Sequence, residues 1–253
     1  MFAKKVKARI FRGGGAKEVI FPDDTFLVSY PKSGNTWLRF IIANLITETE
    51  DDIDFHTSIS VIPEIGVHSK ILENLSRPRI IKSHHLFNKN YPKVIYLVRD
   101  ARDVYVSYYH YLRKKLMLDM TFSKFIRKQD IFPSRWHDHV NSWINASNII
   151  SIIRYEDLLK NPCLEVSKLA SILWKDRFNE EEIKAAVKSS SFERMQRIEA
   201  ERGRPFKDLN AEEKSTIFVR KGISGDWKNH FSSEDEDFIL EEAATLLKYF
   251  NYI

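Results

Sequence analysis

The chain has 253 residues, 43% of them hydrophobic and 30% charged, which is enough to bury a sizeable core and excludes a fibrous or low-complexity protein. No run approaches the roughly 18–20 apolar residues that span a bilayer, and no apolar segment follows the basic start of the chain, so neither a membrane span nor a secretory leader is expected. The 40 Lys and Arg against 35 Asp and Glu give +5, which suits an anionic ligand without identifying one, and many of the basic residues are interleaved with acids as on a solvated face (Glu193-Arg194, Glu201-Arg202).

A single cysteine, Cys163, can form neither an internal disulfide nor a thiolate cluster, and a reducing, cytoplasmic setting is expected. With no repeat or linker, residues 1–253 read as one domain. Apolar runs rich in β-branched and aromatic residues at 25–29, 79–82, 93–98 and 149–153 lack strict alternation, as expected of strands buried on both faces. Helices are expected at 36–46, 103–115, 133–146, 163–174 and 180–188, and from about 233 onward, where Phe238, Ile239, Ala243, Leu246, Leu247 and Phe250 form a stripe. Strands alternating with helices imply an α/β fold with a central parallel β-sheet flanked by helices. Ligands of such sheets bind beyond the carboxyl ends of the strands, so the loops after Ser29, Lys82 and Val98 are where chemistry is sought.

The first of these loops is Tyr30-Pro31-Lys32-Ser33-Gly34-Asn35-Thr36-Trp37. Backbone N–H groups of 33–36 can point at an anion from the start of the following helix, Ser33 and Thr36 add hydroxyls, Gly34 allows close approach, and Lys32 adds positive charge. A capped strand-to-helix turn is the plain alternative. A Walker A loop needs its Lys after the second Gly, whereas Lys32 precedes the one Gly here. The second loop follows a buried strand into Arg99, whose planar fork suits a phosphate, and Ser107 lies one turn beyond Asp103 on the helix that follows. An ion pair of Arg99 with Asp100 or Asp103 would serve structure alone. In Ile81-Lys82-Ser83-His84-His85 a neutral imidazole could take a proton near pH 7, or be a hydrogen-bonded structural group. Arg220-Lys221-Gly222, ahead of Gly225-Asp226-Trp227, offers two cations and a permissive backbone, or an ordinary solvated loop.

The loop Tyr30-Pro31-Lys32-Ser33-Gly34-Asn35-Thr36-Trp37 resembles the 5′-phosphosulfate loop of the sulfotransferases that use 3′-phosphoadenosine 5′-phosphosulfate (PAPS), whose usual cytosolic form is Y-P-K-S-G-T-T-W; Asn35 replaces a Thr, as it does in bacterial members. Val98-Arg99 through Ser107 resembles their 3′-phosphate region, and Arg220-Lys221-Gly222 with Gly225-Asp226-Trp227 their late R-K-G-x-x-G-D-W motif, all in the family's order. The resemblance implies a P-loop-like nucleotide site in which Lys32, Ser33, Gly34, Asn35, Thr36 and Trp37 hold the 5′ end of the donor. It assigns the 3′-phosphate to Arg99, Ser107, Arg220, Lys221 and Gly222, and adenine to Trp37, Tyr155, Ser190 and Phe192.

What the resemblance implies for the reaction is in-line sulfuryl transfer to an acceptor hydroxyl or amine. His84 is the base, Lys32 stabilises the departing 3′-phosphoadenosine 5′-phosphate (PAP) and Ser107 assists, while Lys82 either helps Lys32 to position the sulfuryl group or supports the crevice wall. The scheme needs no metal. The acceptor is expected to be a small molecule, glycan or lipid bordered by 55–77 and 113–135, with 197–215 as a lid over the donor. The family's dimer motif, K-x-x-x-T-V-x-x-x-E, is degraded here to Lys228, Ser232, Ser233 and Asp237, which leaves a homodimer open but without the usual motif to build it. The rivals are a nucleotide kinase, with the strand ending at Val98 and Asp100 as its metal-holding segment, and a noncatalytic RNA-binding domain, for which no RNP or KH signature is present.

Overall fold

A computed structural model describes residues 9–13, 16–47, 52–116, 119–203, 219 and 221–253. Strands β1 (Arg9–Gly13) and β2 (Ala16–Ile20) form an antiparallel hairpin that the sequence reading passed over. The central sheet contains β3 (Thr25–Ser29), β4 (Ile80–Ser83), β5 (Lys93–Val98) and β6 (Ile149–Arg154), all parallel, in the order β4-β3-β5-β6.

Between the strands run α1 (Asn35–Ile46), α2 (Phe55–Val61) and α3 (Ser69–Asn74), then α4 (Ala101–Leu116), α5 (Phe122–Ile126) and α6 (Trp136–Ile144). After β6 come α7 (Tyr155–Lys160), α8 (Pro162–Trp174), α9 (Glu180–Ser189), α10 (Phe192–Arg202), a single 3-10 turn at Asp226–Asn229, and α11 (Ser233–Tyr249). The helix expected at 133–146 spans only Trp136–Ile144, because Arg135, its N-cap, is extended at φ −64° and ψ 152°.

Successive residues of β3 and β5 point to opposite faces, and both faces are covered. Phe26, Val28, Val94, Tyr96 and Val98 pack with residues of α4, α6 and α11, while Leu27, Ile95 and Leu97 pack with α1, α8 and α9. Burial on both faces therefore holds for the two central strands and fails at the edges. In β6 Ile150 and Ile152 are exposed, and β4 is buried only at alternate residues; these are the two outer strands of the sheet, although β4 is also met at Lys82 by the backbone of Pro63 and Ile65. The stripe of α11 packs as expected, with Ile239, Ala243, Leu246, Leu247 and Phe250 buried and Phe238 partly so.

From the carboxyl end of β3 the chain leaves toward β4, and from that of β5 it leaves toward β6. The crevice between β3 and β5 is thus the point where the connections diverge, the usual ligand position in an open α/β sheet.

Candidate active site

The three loops singled out in the sequence end together at this crevice. The turn after β3 is closed by Ser33 N–H donating to the Tyr30 carbonyl at 3.3 Å. Lys32 lies in the left-handed region at φ 70°, costly for a residue with a Cβ and tolerated mainly at ligand loops. Gly34, at φ 98°, is required twice over: a Cβ there would also lie 2.5 Å from the Tyr155 ring. Beyond it α1 starts with no acidic residue in its first turn, so the positive end of the helix and its unpaired N–H groups face the loop without compensation. The Ser33 hydroxyl is fully buried and has no hydrogen-bond partner among the described residues. A buried orphan donor beside an uncompensated helix N-terminus is an arrangement an anion would complete.

At the end of β4, His84 Nδ1 lies 2.6 Å from the Ser29 carbonyl oxygen, which can only accept. The Nδ1 proton is therefore fixed there and Nε2 carries the lone pair. Burial, aided by the nearby Lys82 ammonium, pushes the imidazole down to about 3, so it is neutral throughout the physiological range. His85, by contrast, is tied to the Ser83 and Tyr91 hydroxyls at 3.3 and 3.2 Å and serves the wall of the crevice.

Lys82 donates to Glu64 at 2.7 Å, with side-chain exposures of 13% and 17%. Burial would raise the Glu64 carboxyl, but Lys82, His84 and Arg39 outweigh it and hold the group at about 2. Burial also draws the Lys82 ammonium below its ordinary value, against the pull of Glu64. Glu64 is the site residue that the sequence reading missed; the available signal was a lone carboxylate between Ile62 and Ile65 in an otherwise apolar stretch.

On the β5 side, Arg99 spans two loops, donating to the Lys32 carbonyl at 3.2 Å and the Ile223 carbonyl at 2.9 Å, while its Nε is buried and has no partner among the described residues. Of the two carboxylates considered for it, Asp103 lies at 3.9 Å and Asp100 pairs instead with Arg102 at 2.8 Å. Asp103 accepts from the backbone N–H groups of Gly225 at 2.7 Å and Trp227 at 3.0 Å, which pins the late loop to α4. Lys221 pairs with buried Asp226 at 2.8 Å. Gly222, at φ 63°, abuts Phe192, where a Cβ would come within 2.5 Å of the ring. Arg220 and residues 204–215 of the expected lid lie outside the described residues.

The aromatic set also converges. Tyr155 is buried, with the Arg99 guanidinium 4.3 Å above its ring and Trp37 edge-on at 6.0 Å. Trp37 Nε1 donates to the Ser190 carbonyl at 3.0 Å, and the Asn44 amide donates to the Ser190 hydroxyl at 3.1 Å. Trp37 and Phe192 keep partly open surfaces, whereas Tyr155 acts chiefly as a wedge. Ser107 sits partly exposed on α4, one turn past Asp103.

The chain is similar to known proteins. The family described as "Sulfotransferase domain" matches residues 22–248. Mouse sulfotransferase 1 family member D1 is 31% identical, over 90% of this chain and 86% of its own. Mouse sulfotransferase 1B1 is 32% identical, over 86% of this chain and 80% of its own. Among solved structures, that of mouse sulfotransferase SULT7A1 complexed with PAP has a TM-score of 0.69 at 26% identity, covering 91% of this chain and 89% of that one.

Proposed function

Because the chain belongs to the sulfotransferase domain family, its reaction is sulfuryl transfer from PAPS, and we propose that Lys32, Lys82 and His84 carry out that transfer to a small-molecule hydroxyl or amine. The residues present suit the donor. The Ser33 hydroxyl and the Arg99 Nε, buried and without a partner among the described residues, are donors that an anion would complete. When bound, PAPS supplies a sulfur already activated by a phosphate leaving group.

The chain's own residues do the rest. Ser33, Thr36 and the N–H groups opening α1 hold the 5′-phosphate, with Gly34 and Asn35 shaping the turn. Lys32 offers its ammonium to the negative charge that builds on the leaving oxygen. His84 Nε2 takes the acceptor's proton, and Lys82, held by Glu64, steadies the sulfuryl group. Arg99, Ser107, Lys221 and Gly222, with Arg220, bind the 3′-phosphate, while Trp37, Phe192, Tyr155 and Ser190 frame adenine. The single cysteine supports a cytoplasmic setting, and among the described residues no helix is long and apolar enough to cross a membrane.

The observation that carries this reading is the His84 tautomer: a carbonyl at 2.6 Å fixes the proton on Nδ1 and leaves Nε2 as a base at the strand end nearest the anion loop. Supplying PAPS to the purified protein with a panel of alcohols, phenols, amines and glycans, and following PAP release, tests it. Turnover is expected on at least one acceptor and is lost in Lys32→Ala and His84→Ala. Variants that match the parent on a working acceptor would sink the assignment.

A further inference from the structure

Arg99 reaches the crevice from a peptide that belongs neither to the sheet nor to a helix. The ladder of β5 ends with Val98 opposite Arg154, and the bonds of α4 begin with the Val104 N–H donating to the Asp100 carbonyl at 3.0 Å. Between them the Arg99–Asp100 peptide is held by side chains from two other elements. Its carbonyl accepts from Nε1 of the fully buried Trp136 at 3.2 Å, and its N–H donates to Glu156 Oε1 at 3.1 Å. Trp136 opens α6 and Glu156 is the second residue of α7. Glu156 is fixed in turn, because its other oxygen accepts from the Tyr252 hydroxyl at 2.8 Å. Tyr252 is tied down at its N–H, which donates to the Leu247 carbonyl at 2.8 Å, and at its carbonyl, which accepts from Arg102 at 2.8 Å. The Arg154 guanidinium lies 4.8 Å above its ring.

We propose that Glu156, secured by Tyr252, is a positioning residue for the donor's 3′-phosphate: it holds the root of the Arg99 side chain. This rests on the assignment of Arg99 to that phosphate. The tip of Arg99 is already engaged with the Lys32 and Ile223 carbonyls, and that is why its root matters. Two nitrogens of the fork are spent on carbonyls, so an anion is met only by N–H groups whose directions follow from the guanidinium plane. The peptide is a rigid unit, and one free to turn would tilt that plane. The fork could then keep its carbonyls or meet the phosphate squarely, but not both. A carboxylate suits the task because it accepts from two sides at once, the peptide N–H on one oxygen and the phenol on the other.

The test uses the full chain and two neutral replacements of similar size, Glu156→Gln and Glu156→Leu. Both lose the same charge, and they differ in whether an acceptor remains for the Asp100 N–H. Calorimetry with PAP and with adenosine 5′-phosphosulfate, which lacks the 3′-phosphate, supplies the readout. PAP affinity in Glu156→Leu should be about tenfold below that in Glu156→Gln, the size of one hydrogen bond. Adenosine 5′-phosphosulfate should bind both variants alike, which also shows that they are folded. In an Arg99→Ala background the difference between the two variants should vanish. Tyr252→Phe, which keeps the carboxylate and its charge, should show a smaller loss, again confined to PAP. An equal loss for both nucleotides would make Glu156 a mere support of the Tyr155 wall and overturn the proposal. Equal PAP affinities in the two Glu156 variants, or a difference that persists without Arg99, would overturn it too. If Glu156→Leu does not fold, Tyr252→Phe decides: unchanged PAP affinity, or a loss shared by both nucleotides, sinks the idea. Failure of the assignment beneath it reads differently, since Arg99→Ala itself would then weaken both nucleotides equally.

Discussion

The two ends of the crevice are built on opposite plans. Around the anion loop, polar atoms are held in place but left unsatisfied: the Ser33 hydroxyl has no partner among the described residues, and His84 Nε2 keeps its lone pair because Nδ1 is occupied. Around the β5 tip the charges are already engaged, Asp103 with two backbone N–H groups, Lys221 with Asp226, and Arg99 with two carbonyls. The difference teaches where each end spends its electrostatics. The first end withholds interactions for a reacting group, as differential binding of a transition state requires. The second uses ionic groups to hold two loops and one helix together, and offers the nucleotide what remains.

The largest expected effect comes from His84→Ala, which should lower kcat by about 10²–10⁴-fold, the usual worth of a general base, and leave PAP affinity intact. Because His84 is neutral above about 3, the parental kcat should show no acid limb near the ordinary histidine value of 6.5. A pH profile bending at 6.5 would contradict the geometry.

Next is Glu64→Gln, which leaves a buried ammonium without its counter-charge and should cost about 3 kcal/mol in denaturant unfolding. Glu64 is held at about 2 against an ordinary 4.5, so its contribution is complete above 4.5 and is lost as pH falls toward 2. The parent should lose stability across that window more steeply than the variant.

Gly34→Ala should then weaken PAP binding by at least ~1–2 kcal/mol, the cost of a Cβ at positive φ, since a contact at 2.5 Å with Tyr155 adds to it. Smallest is Lys221→Ala. The lysine is 47% exposed, and Asp226 keeps Asn229 and His230 nearby, so the melting temperature should register less than about 1 kcal/mol while PAP affinity falls and becomes less salt-dependent. A stability loss at Lys221 as large as that at Glu64 would show that solvent exposure does not separate the two ion pairs.

The sheet and the anion loop were legible in the sequence because their signals are contiguous. A buried apolar run followed by Lys32, Ser33 and Gly34, then an apolar helix, states its structure in a dozen residues. Three things were not legible. Which strands lie at the edges depends on sheet order, so β6 read like β5 although Ile150 and Ile152 are exposed. The Glu64–Lys82 pair joins residues 18 apart with α3 between them, so the carboxylate that stands out in its apolar stretch carries no local sign of pairing with Lys82. The direction of the Asn35 side chain is likewise set by tertiary packing; in the sequence it was only the one departure from Y-P-K-S-G-T-T-W. The β1–β2 hairpin did leave a local sign, two short runs flanking Gly13-Gly14-Gly15, which the longer strands overshadowed.

Tyr155 presses on Gly34, faces Trp37 edge-on and carries Arg99 over its ring. Substitutions at those three positions are therefore not independent trials, since each is judged against the same aromatic ring. A side chain at position 34 can find room only after residue 155 has shrunk, and shrinking residue 155 first removes the surface beneath Arg99. Mutational paths through this part of the chain are ordered: some pairs of changes are accessible in one sequence and blocked in the other, and the epistasis is written in the contacts of a single phenol.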